Sequence, residues 1–218
     1  MLNARVRGSD GSTYRLELLE SSECHDLLAQ TIVPRPIAWV LTDNGPSWSA
    51  DSRWNLAPFS FFTVAAVDPP TLVISIGPDE GREGLKDTMK NLERNPHAVI
   101  HIAHENLAPI VRDSGKAWPP GESEVTRNGL ELVDWDASPI PRLAVARVAY
   151  AGRVVQKVWF SERECVIFIT VTAVWVASNI CGERRQHQEI LIERLQPLSR
   201  LGSGQFGRSI VIPRLEVP

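Results

Sequence analysis

Two tripeptides place positive charge where a ligand phosphate could meet it, and the first is Pro34-Arg35-Pro36. Its first proline has a fixed φ, and the residue before its second proline is held extended. The guanidinium of Arg35 therefore projects from a stiff backbone, which suits a forked contact with a phosphate or a carboxylate. Taken alone, the tripeptide is more simply explained by an ordinary ion pair at the end of a strand.

The second tripeptide, Lys86-Asp87-Thr88, stands directly before a helical pattern of apolar residues. Asp87 or Thr88 is predicted to be the N-cap of that helix. The N–H groups of a helix start bind phosphate, and Lys86 adds a point charge. Because Asp87 would repel a phosphate, it is expected to cap the helix or to pair with a base such as Arg35. By itself, the tripeptide is more simply interpreted as an ordinary capped helix.

Between these tripeptides lies a segment suited to an apolar ligand, residues 55–62 (NLAPFSFF). Pro58 cannot donate to a β-ladder, so the segment is predicted to begin at a sheet edge or a bulge. Its small and polar residues leave backbone groups available to a flat, mostly apolar ring with a polar rim. The alternative is core packing, and at least one of the three phenylalanines is expected to be buried.

The elements that must position these residues are mostly short strands. The pattern predicts strands over residues 13–19, 31–42, 55–67, 71–77, 97–103, 142–158 and 164–177, and near Ile190. It predicts helices over residues 22–30, 85–95 and 105–112, and a surface excursion over residues 113–129. Since strands and helices do not alternate regularly, we expect a mainly β fold, a closed antiparallel barrel with peripheral helices. The length of 218 residues suits a single domain over residues 1–218, with its core at about 30–212.

Four motifs in a fixed order resemble a known family. They are PRPIAWV, NLAPFSFF, DPPTLVISI and LKDTMKN, all within residues 31–95, and the later PLSRLGSGQFG resembles the family's closing segment. Together they are similar to the flavin reductase-like domain family, whose members bind FMN in a split β-barrel. Residues 105–190 match in rough pattern only.

The resemblance implies a role for particular residues. Arg35 and the strand after it would lie beside the flavin. The isoalloxazine and ribityl chain would contact Asn55, Ala57, Pro58 and Ser60. The phosphate would lie at Lys86, Asp87 and Thr88. The closing segment would contribute Ser199, Arg200 and Gly202. The sequence departs from the family in two places: the segment between Asp43 and Asn55 is longer than usual, and Phe206 stands where a Tyr or similar aromatic is expected. Both departures bear on substrate preference more than on flavin binding.

The implied function is that of an FMN-dependent oxidoreductase. NADH or NADPH would deliver hydride to FMN, and the electrons would pass to free flavin, oxygen or another acceptor. That step needs no protein acid or base, so no catalytic residue is assigned. One alternative is an oxygenase or other FMN oxidoreductase acting on an organic substrate, with the segment from Trp48 to Trp54 lining its pocket. Another is a non-enzymatic FMN electron-transfer protein. The family also implies a homodimer, and seven Trp are more than one small core readily absorbs.

Composition argues against several other classes of protein. A net charge of −3 gives no reason to expect nucleic acid or an anionic membrane. The cysteines, Cys24, Cys165 and Cys181, are odd in number and far apart, so no disulfide framework or zinc site is expected, and a reducing cytoplasm fits. The N-terminus lacks the apolar core of a signal peptide. The apolar run at 165–177 is shorter than the roughly 20 residues of a spanning helix and is predicted to be a strand.

Two further patterns are expected to carry no site. Residues 202–207 spell GxGxxG, but the eleven residues that follow cannot build a βαβ unit, so a turn near the ligand is the better interpretation. His97, His101 and His104 could suggest a metal. On a strand the first two share a face and the third does not, so no metal site is expected.

Overall fold

The structure is a computed structural model. It describes residues 4–78, 84–119, 122–182 and 189–212. The strands are β1 (Arg5–Arg7), β2 (Ser12–Tyr14), β3 (Arg35–Pro36), β4 (Ala38–Asp43), β5 (Trp54–Phe59), β6 (Phe62–Val67), β7 (Pro70–Ile76), β8 (His97–Ile102), β9 (Leu132–Val133), β10 (Arg142–Leu143), β11 (Val148–Ser161), β12 (Glu164–Val176), β13 (Cys181–Gly182), β14 (Glu189–Ile190), β15 (Leu198–Arg200) and β16 (Phe206–Arg208). The helices are α1 (Ser21–Thr31), α2 (Asp87–Arg94), α3 (Ala108–Asp113), α4 (Glu124–Arg127) and α5 (Ile192–Leu195).

Seven strands form one antiparallel sheet in the order β5-β4-β8-β11-β12-β7-β6. Its two edge strands, β5 and β6, follow each other in the chain with only Ser60 and Phe61 between them. Two residues cannot cross a flat sheet whose seven strands lie about 4.8 Å apart. The sheet therefore curls until its edges meet at this corner. The fold is mainly β, a split barrel with peripheral helices, as the sequence predicts.

The strand β4 separates two hydrophobic layers because its side chains alternate between them. Ala38 and Val40 belong to the layer that joins strands from opposite sides of the sheet, which is the barrel interior. Trp39 and Leu41 belong to an outer layer under α3 and α4. Met89 of α2 packs into the interior layer, so the start of α2 is fixed against the barrel.

Some element boundaries differ from the sequence-based expectation. The strand expected at 13–19 ends at Tyr14, and Leu16–Leu18 form a 3₁₀ turn, with Leu16 and Leu18 exposed and lacking an apolar face to cover. The strand expected at 55–67 breaks at the Ser60 corner into β5 and β6. The strand expected at 142–158 begins at Val148, because Arg142–Leu143 pairs with β9 instead.

His101 of β8 is fully buried and held by two backbone groups. Its Nδ1 donates to the Trp39 carbonyl at 3.1 Å, and its Nε2 accepts from the Leu143 N–H at 3.0 Å. Burial, opposed by the Trp39 bond and assisted by the charge of Arg142, lowers the pKa of His101 from 6.5 to about 4. The imidazole is therefore neutral at neutral pH.

We expect this histidine to make stability depend on pH. Because the folded pKa lies below the unfolded value, the unfolded chain binds more protons between pH 6.5 and 4. The contribution is complete above about pH 6.5 and is lost as pH falls toward 4. Urea unfolding should show a loss of roughly 1 kcal/mol per pH unit in that window. His101→Gln should remove much of this slope, and an unchanged slope would refute the assignment.

Candidate functional site

A cleft of about 240 Å³ opens where β5, the start of α2 and residues 114–119 meet. Six of the residues that the sequence singled out line it: Asn55, Ala57, Pro58, Lys86, Asp87 and Thr88. The sequence brings them together through two elements, since β5 forms one wall and the first turn of α2 forms the next. The volume is just under the 300–1,000 Å³ of a typical ligand pocket, so a large ligand would extend beyond it.

Buried amides and hydroxyls fix α2 to the two strands beside it. Asn55 Nδ2 donates to Thr88 Oγ1 at 2.9 Å and to Thr42 Oγ1 at 3.3 Å. Asn91 Nδ2 donates to the same Thr42 Oγ1 at 3.0 Å and to Asn44 Oδ1 at 2.7 Å. Breaking such a network would leave buried polar groups unpaired. Asn55 and Thr88 therefore orient the helix start, and the bridge that Thr42 forms between Asn55 and Asn91 has no signal in the sequence.

The N-cap residue of α2 provides no side-chain cap for the first turn. The N-cap is Lys86, not Asp87 or Thr88 as predicted, and its side chain has no oxygen to accept from the first-turn amides. Asp87 accepts from Lys90 at 2.9 Å rather than pairing with Arg35. Lys86 Nζ lies 5.7 Å from the centroid of the Phe59 ring, at the edge of the cleft. The helix dipole and Lys86 together make this end of the cleft positive, which suits an anionic group.

The third wall, residues 114–119, was predicted to be part of a surface excursion. Ser114 is buried, and its hydroxyl accepts from Trp39 Nε1 at 2.9 Å. Gly115 follows, and a Cβ there would lie 3.2 Å from Pro58 Cγ, so glycine permits the close approach. Trp118 stacks under the Arg127 guanidinium, with 3.4 Å between Cζ and the ring centroid. These contacts hold the segment against β5.

Glu124 of α4 is a cleft residue that sequence reasoning missed. Its side chain is buried, and its Oε2 accepts from the Leu56 N–H at 3.0 Å. The edge strand β5 thereby gains an acceptor for an amide that would otherwise face solvent. A short helix inside a polar, Pro- and Gly-rich segment offers no periodic signal that could have revealed this contact.

The other predicted residues, Arg35, Ser60, Ser199 and Arg200, form a second group that does not line the cleft. Arg35 Nε donates to Ser60 Oγ at 3.3 Å, and β3 pairs with β15 so that Arg35 is opposite Arg200. Arg35 Nη1 also donates to the carbonyls of Ala29 and Ile32, at the end of α1. Burial, with a contribution from the charge of Arg200, lowers the pKa of Arg35. Much of the Arg35 guanidinium is thus used inside the protein, where it caps α1.

The glycine-rich segment after β15 is a turn, and its glycines have packing roles. A Cβ on Gly202 would lie 2.4 Å from Gln30 Cγ and 2.9 Å from its Cα, so glycine allows the turn to touch α1. Gly204 has φ of 77°, a conformation that favours glycine. Ser199 is buried beside Gly207 and Pro36.

Neither a metal centre nor a membrane-spanning helix is found in the part of the chain that the structure describes. Within those ranges, no three or more His, Cys, Asp or Glu side chains come together in a way that could hold a metal ion. None of the helices in the described residues is long and apolar enough to cross a membrane.

Comparison with known proteins identifies the family to which this split barrel belongs. Residues 30–190 match the family model of the flavin reductase like domain. The chain is 31% identical to YwrF of Bacillus subtilis over 201 residues, which cover 89% of this chain and 93% of YwrF. The chain therefore belongs to the flavin reductase-like domain family.

Solved structures share the fold. The chain is similar to 2-nitrobenzoate 2-nitroreductase NbaA of Pseudomonas fluorescens, with a TM-score of 0.80, 24% identity and coverage of 94% of this chain and 96% of that one. It is similar to nitrilotriacetate monooxygenase component B of Bacillus cereus, with a TM-score of 0.79, 22% identity and coverage of 93% and 98%. It is also similar to an FMN-binding protein of Thermus thermophilus, with a TM-score of 0.61, 19% identity and coverage of 84% and 92%.

Proposed function

We propose that this protein is an FMN-dependent oxidoreductase, organised as one domain, that accepts hydride from NADH or NADPH. The observation that carries the proposal is the start of α2, with the cationic Lys86 as its N-cap residue, at one end of the cleft. Membership of the flavin reductase-like family and the similarity to a Thermus FMN-binding protein support a flavin as the ligand. When bound, FMN supplies the redox chemistry, passing electrons from the pyridine nucleotide to flavin, oxygen or another acceptor.

The residues of the cleft fit the parts of FMN. Lys86 and the first-turn amides of α2, at Asp87 and Thr88, would hold the phosphate. Asn55 would keep that turn in place through its bond to Thr88 Oγ1, at 2.9 Å. Ala57 and Pro58 offer the flat apolar wall against which a ring can lie. Arg35, Ser60, Ser199 and Arg200 would act from beside the cleft, since none of them lines it.

For hydride transfer, the protein must position the flavin and the donor, and it need not supply or accept a proton. The protein must bind the ring, leave one face open to the donor and exclude competing groups. Residues 114–119, which include Trp118, lie across the cleft from α2 and would limit access to the cleft. No protein acid or base is assigned.

Anaerobic stopped-flow mixing of the FMN-loaded protein with NADH, and separately with NADPH, tests the proposed activity. We expect one of the two donors to bleach the yellow flavin absorbance within seconds. Free FMN at the same concentration is the control. If neither donor bleaches the bound flavin, the protein is a carrier or uses another donor, and the proposed function is wrong.

A second candidate function is reduction or oxygenation of an organic substrate. Trp48 and Trp118 both line the cleft, and Trp48 remains 40% exposed, so an aromatic molecule could stack beside a bound ring. The similarity to a nitrobenzoate reductase favours the same idea. Consumption of an added nitroaromatic acid by the reduced protein, faster than by free reduced FMN, would support it.

We also propose a homodimer in which a second copy covers the cofactor. A cleft of about 240 Å³ leaves part of a flavin uncovered, and Val67, Trp159 and Phe160 are large apolar side chains exposed by 83%, 42% and 72%. A ligand that touches both subunits stabilises the dimer. Sedimentation velocity over a dilution series should therefore show FMN shifting the equilibrium toward dimer. A monomer that keeps full FMN affinity at every concentration would exclude a shared site.

A further inference from the structure

Three arginines, Arg35, Arg112 and Arg200, come together beside the cleft and are called here the arginine cluster. Arg112 Nη2 and Arg200 Nη1 both donate to the Gly204 carbonyl, at 3.3 and 3.1 Å. Their guanidinium carbons lie 5.8 and 4.9 Å from the centroid of the same ring, that of Phe206. Arg35 is the register partner of Arg200 across the β3–β15 pair.

The cluster lacks a counter-charge within the described residues. In residues 4–78, 84–119, 122–182 and 189–212, no carboxylate lies within 4.0 Å of a nitrogen of these three arginines. Asp113, the neighbour of Arg112 in the chain, is instead bound to Lys116 at 2.7 Å. Burial and the charge of Arg112 lower the pKa of Arg200. Like charges held this close by one carbonyl oxygen gain stability when an anion joins them.

The cluster also has donors to offer a ligand. A guanidinium has five N–H groups, and Arg112 and Arg200 each use one on Gly204. Arg112 is exposed and Arg200 half-buried, so both can be reached from solvent. Arg35 is buried and contributes charge rather than contact. The two accessible guanidinium groups match a ligand that carries two neighbouring negative charges.

The position of the cluster relates it to the cleft without making it part of the cleft. Arg112, in α3, stands two residues before Ser114, which lines the third wall. Arg35 is bonded to Ser60, two residues after Pro58 of the first wall. The phosphate of FMN is proposed to lie at α2, which contributes no residue to the cluster. A second anionic group is therefore expected here, on a molecule that also reaches the cleft.

We propose that the arginine cluster binds the diphosphate of the pyridine dinucleotide that reduces the flavin, an inference that rests on the proposed function above. The diphosphate carries two negative charges, one for each accessible guanidinium, and forked contacts with phosphate oxygens suit arginine. The cluster holds the donor's diphosphate while the nicotinamide end enters the cleft. Arg112 and Arg200 are thus residues that determine affinity for the donor and do not take part in hydride transfer.

The test uses ADP-ribose, which has the diphosphate of the donor but no nicotinamide and undergoes no redox reaction. Isothermal titration into the FMN-loaded protein should give a dissociation constant that rises about tenfold in Arg112→Gln and in Arg200→Gln, the loss expected for one charge-assisted contact near solvent. Arg112→Lys, which keeps the charge without the fork, should lose less. Arg153→Gln removes an exposed arginine of β11 and should change nothing. Raising ionic strength should weaken ADP-ribose binding more in the wild type than in a double variant that combines Arg112→Gln and Arg200→Gln.

The outcomes separate this inference from the proposed function. Failure of the wild type to bind ADP-ribose, or equal binding by all variants, overturns the diphosphate site even if NADH bleaches the flavin. The diphosphate site would also be overturned if Arg112→Gln and Arg200→Gln left ADP-ribose binding unchanged but raised the KM for an aromatic carboxylate acceptor. The arginine cluster would then bind the acceptor. Arginine-dependent binding without any flavin reduction would support the site and refute the proposed function.

Discussion

Lys86→Ala is expected to weaken FMN binding about 10- to 150-fold, the loss that follows from removing one charge-assisted contact with a phosphate. The ammonium stands at the start of α2, where the N-cap residue forms no side-chain hydrogen bond to the first-turn amides. Folding should change little, because Lys86 contributes to the helix through its backbone carbonyl, which accepts from the Met89 and Lys90 amides. Fluorescence titration of the FMN-free protein measures the affinity.

Two variants control this experiment. Lys157→Ala removes a lysine of β11 whose Nζ donates to the Leu92 carbonyl at 3.3 Å, near the opposite end of α2, and should leave FMN affinity unchanged. Lys86→Arg keeps the charge and should retain most of the affinity. If Lys86→Ala lowers the melting temperature while the folded fraction binds FMN as well as the wild type, the lysine is structural and the phosphate assignment is wrong.

The fold and one side of the site could be predicted because their signals are local. Alternating apolar residues in β4 and the helical spacing from Met89 to Leu92 specify elements that pack as expected. The KDT tripeptide specifies a helix start, and Pro58 an edge strand. Since β5 and α2 carry those motifs, six of the ten proposed site residues line one cleft.

The rest depends on contacts between parts of the chain far apart in sequence. Ser114 lines the cleft because its hydroxyl accepts a hydrogen bond from the indole N–H of Trp39. Glu124 lines it because its carboxylate accepts from the Leu56 N–H. The sequence of residues 113–129 by itself does not predict a contact with Trp39 or with Leu56. Arg35 shows the same limit. The flanking prolines predict its stiff backbone, but its hydrogen-bond acceptors are carbonyls at the end of α1. Only the folded chain brings these carbonyls close to the guanidinium.

Removing the phosphate from the ligand is expected to weaken flavin binding as much as, or more than, removing the lysine from the protein. Riboflavin differs from FMN only in lacking that group, so it cannot bind Lys86 or the first-turn amides of α2 through a phosphate. The absence of both interactions corresponds to an affinity about 100-fold weaker or more. Lys86→Ala should reduce the difference in affinity between FMN and riboflavin, because it weakens the binding of FMN alone.

Titration of the FMN-free wild-type protein with FMN and with riboflavin, at one ionic strength and followed by flavin fluorescence, tests most directly whether the cleft holds a flavin whose phosphate lies at the start of α2. The predicted result is saturable FMN binding at concentrations where riboflavin binds about 100-fold more weakly or worse. Equal affinities for the two flavins, or no binding of either, would contradict it.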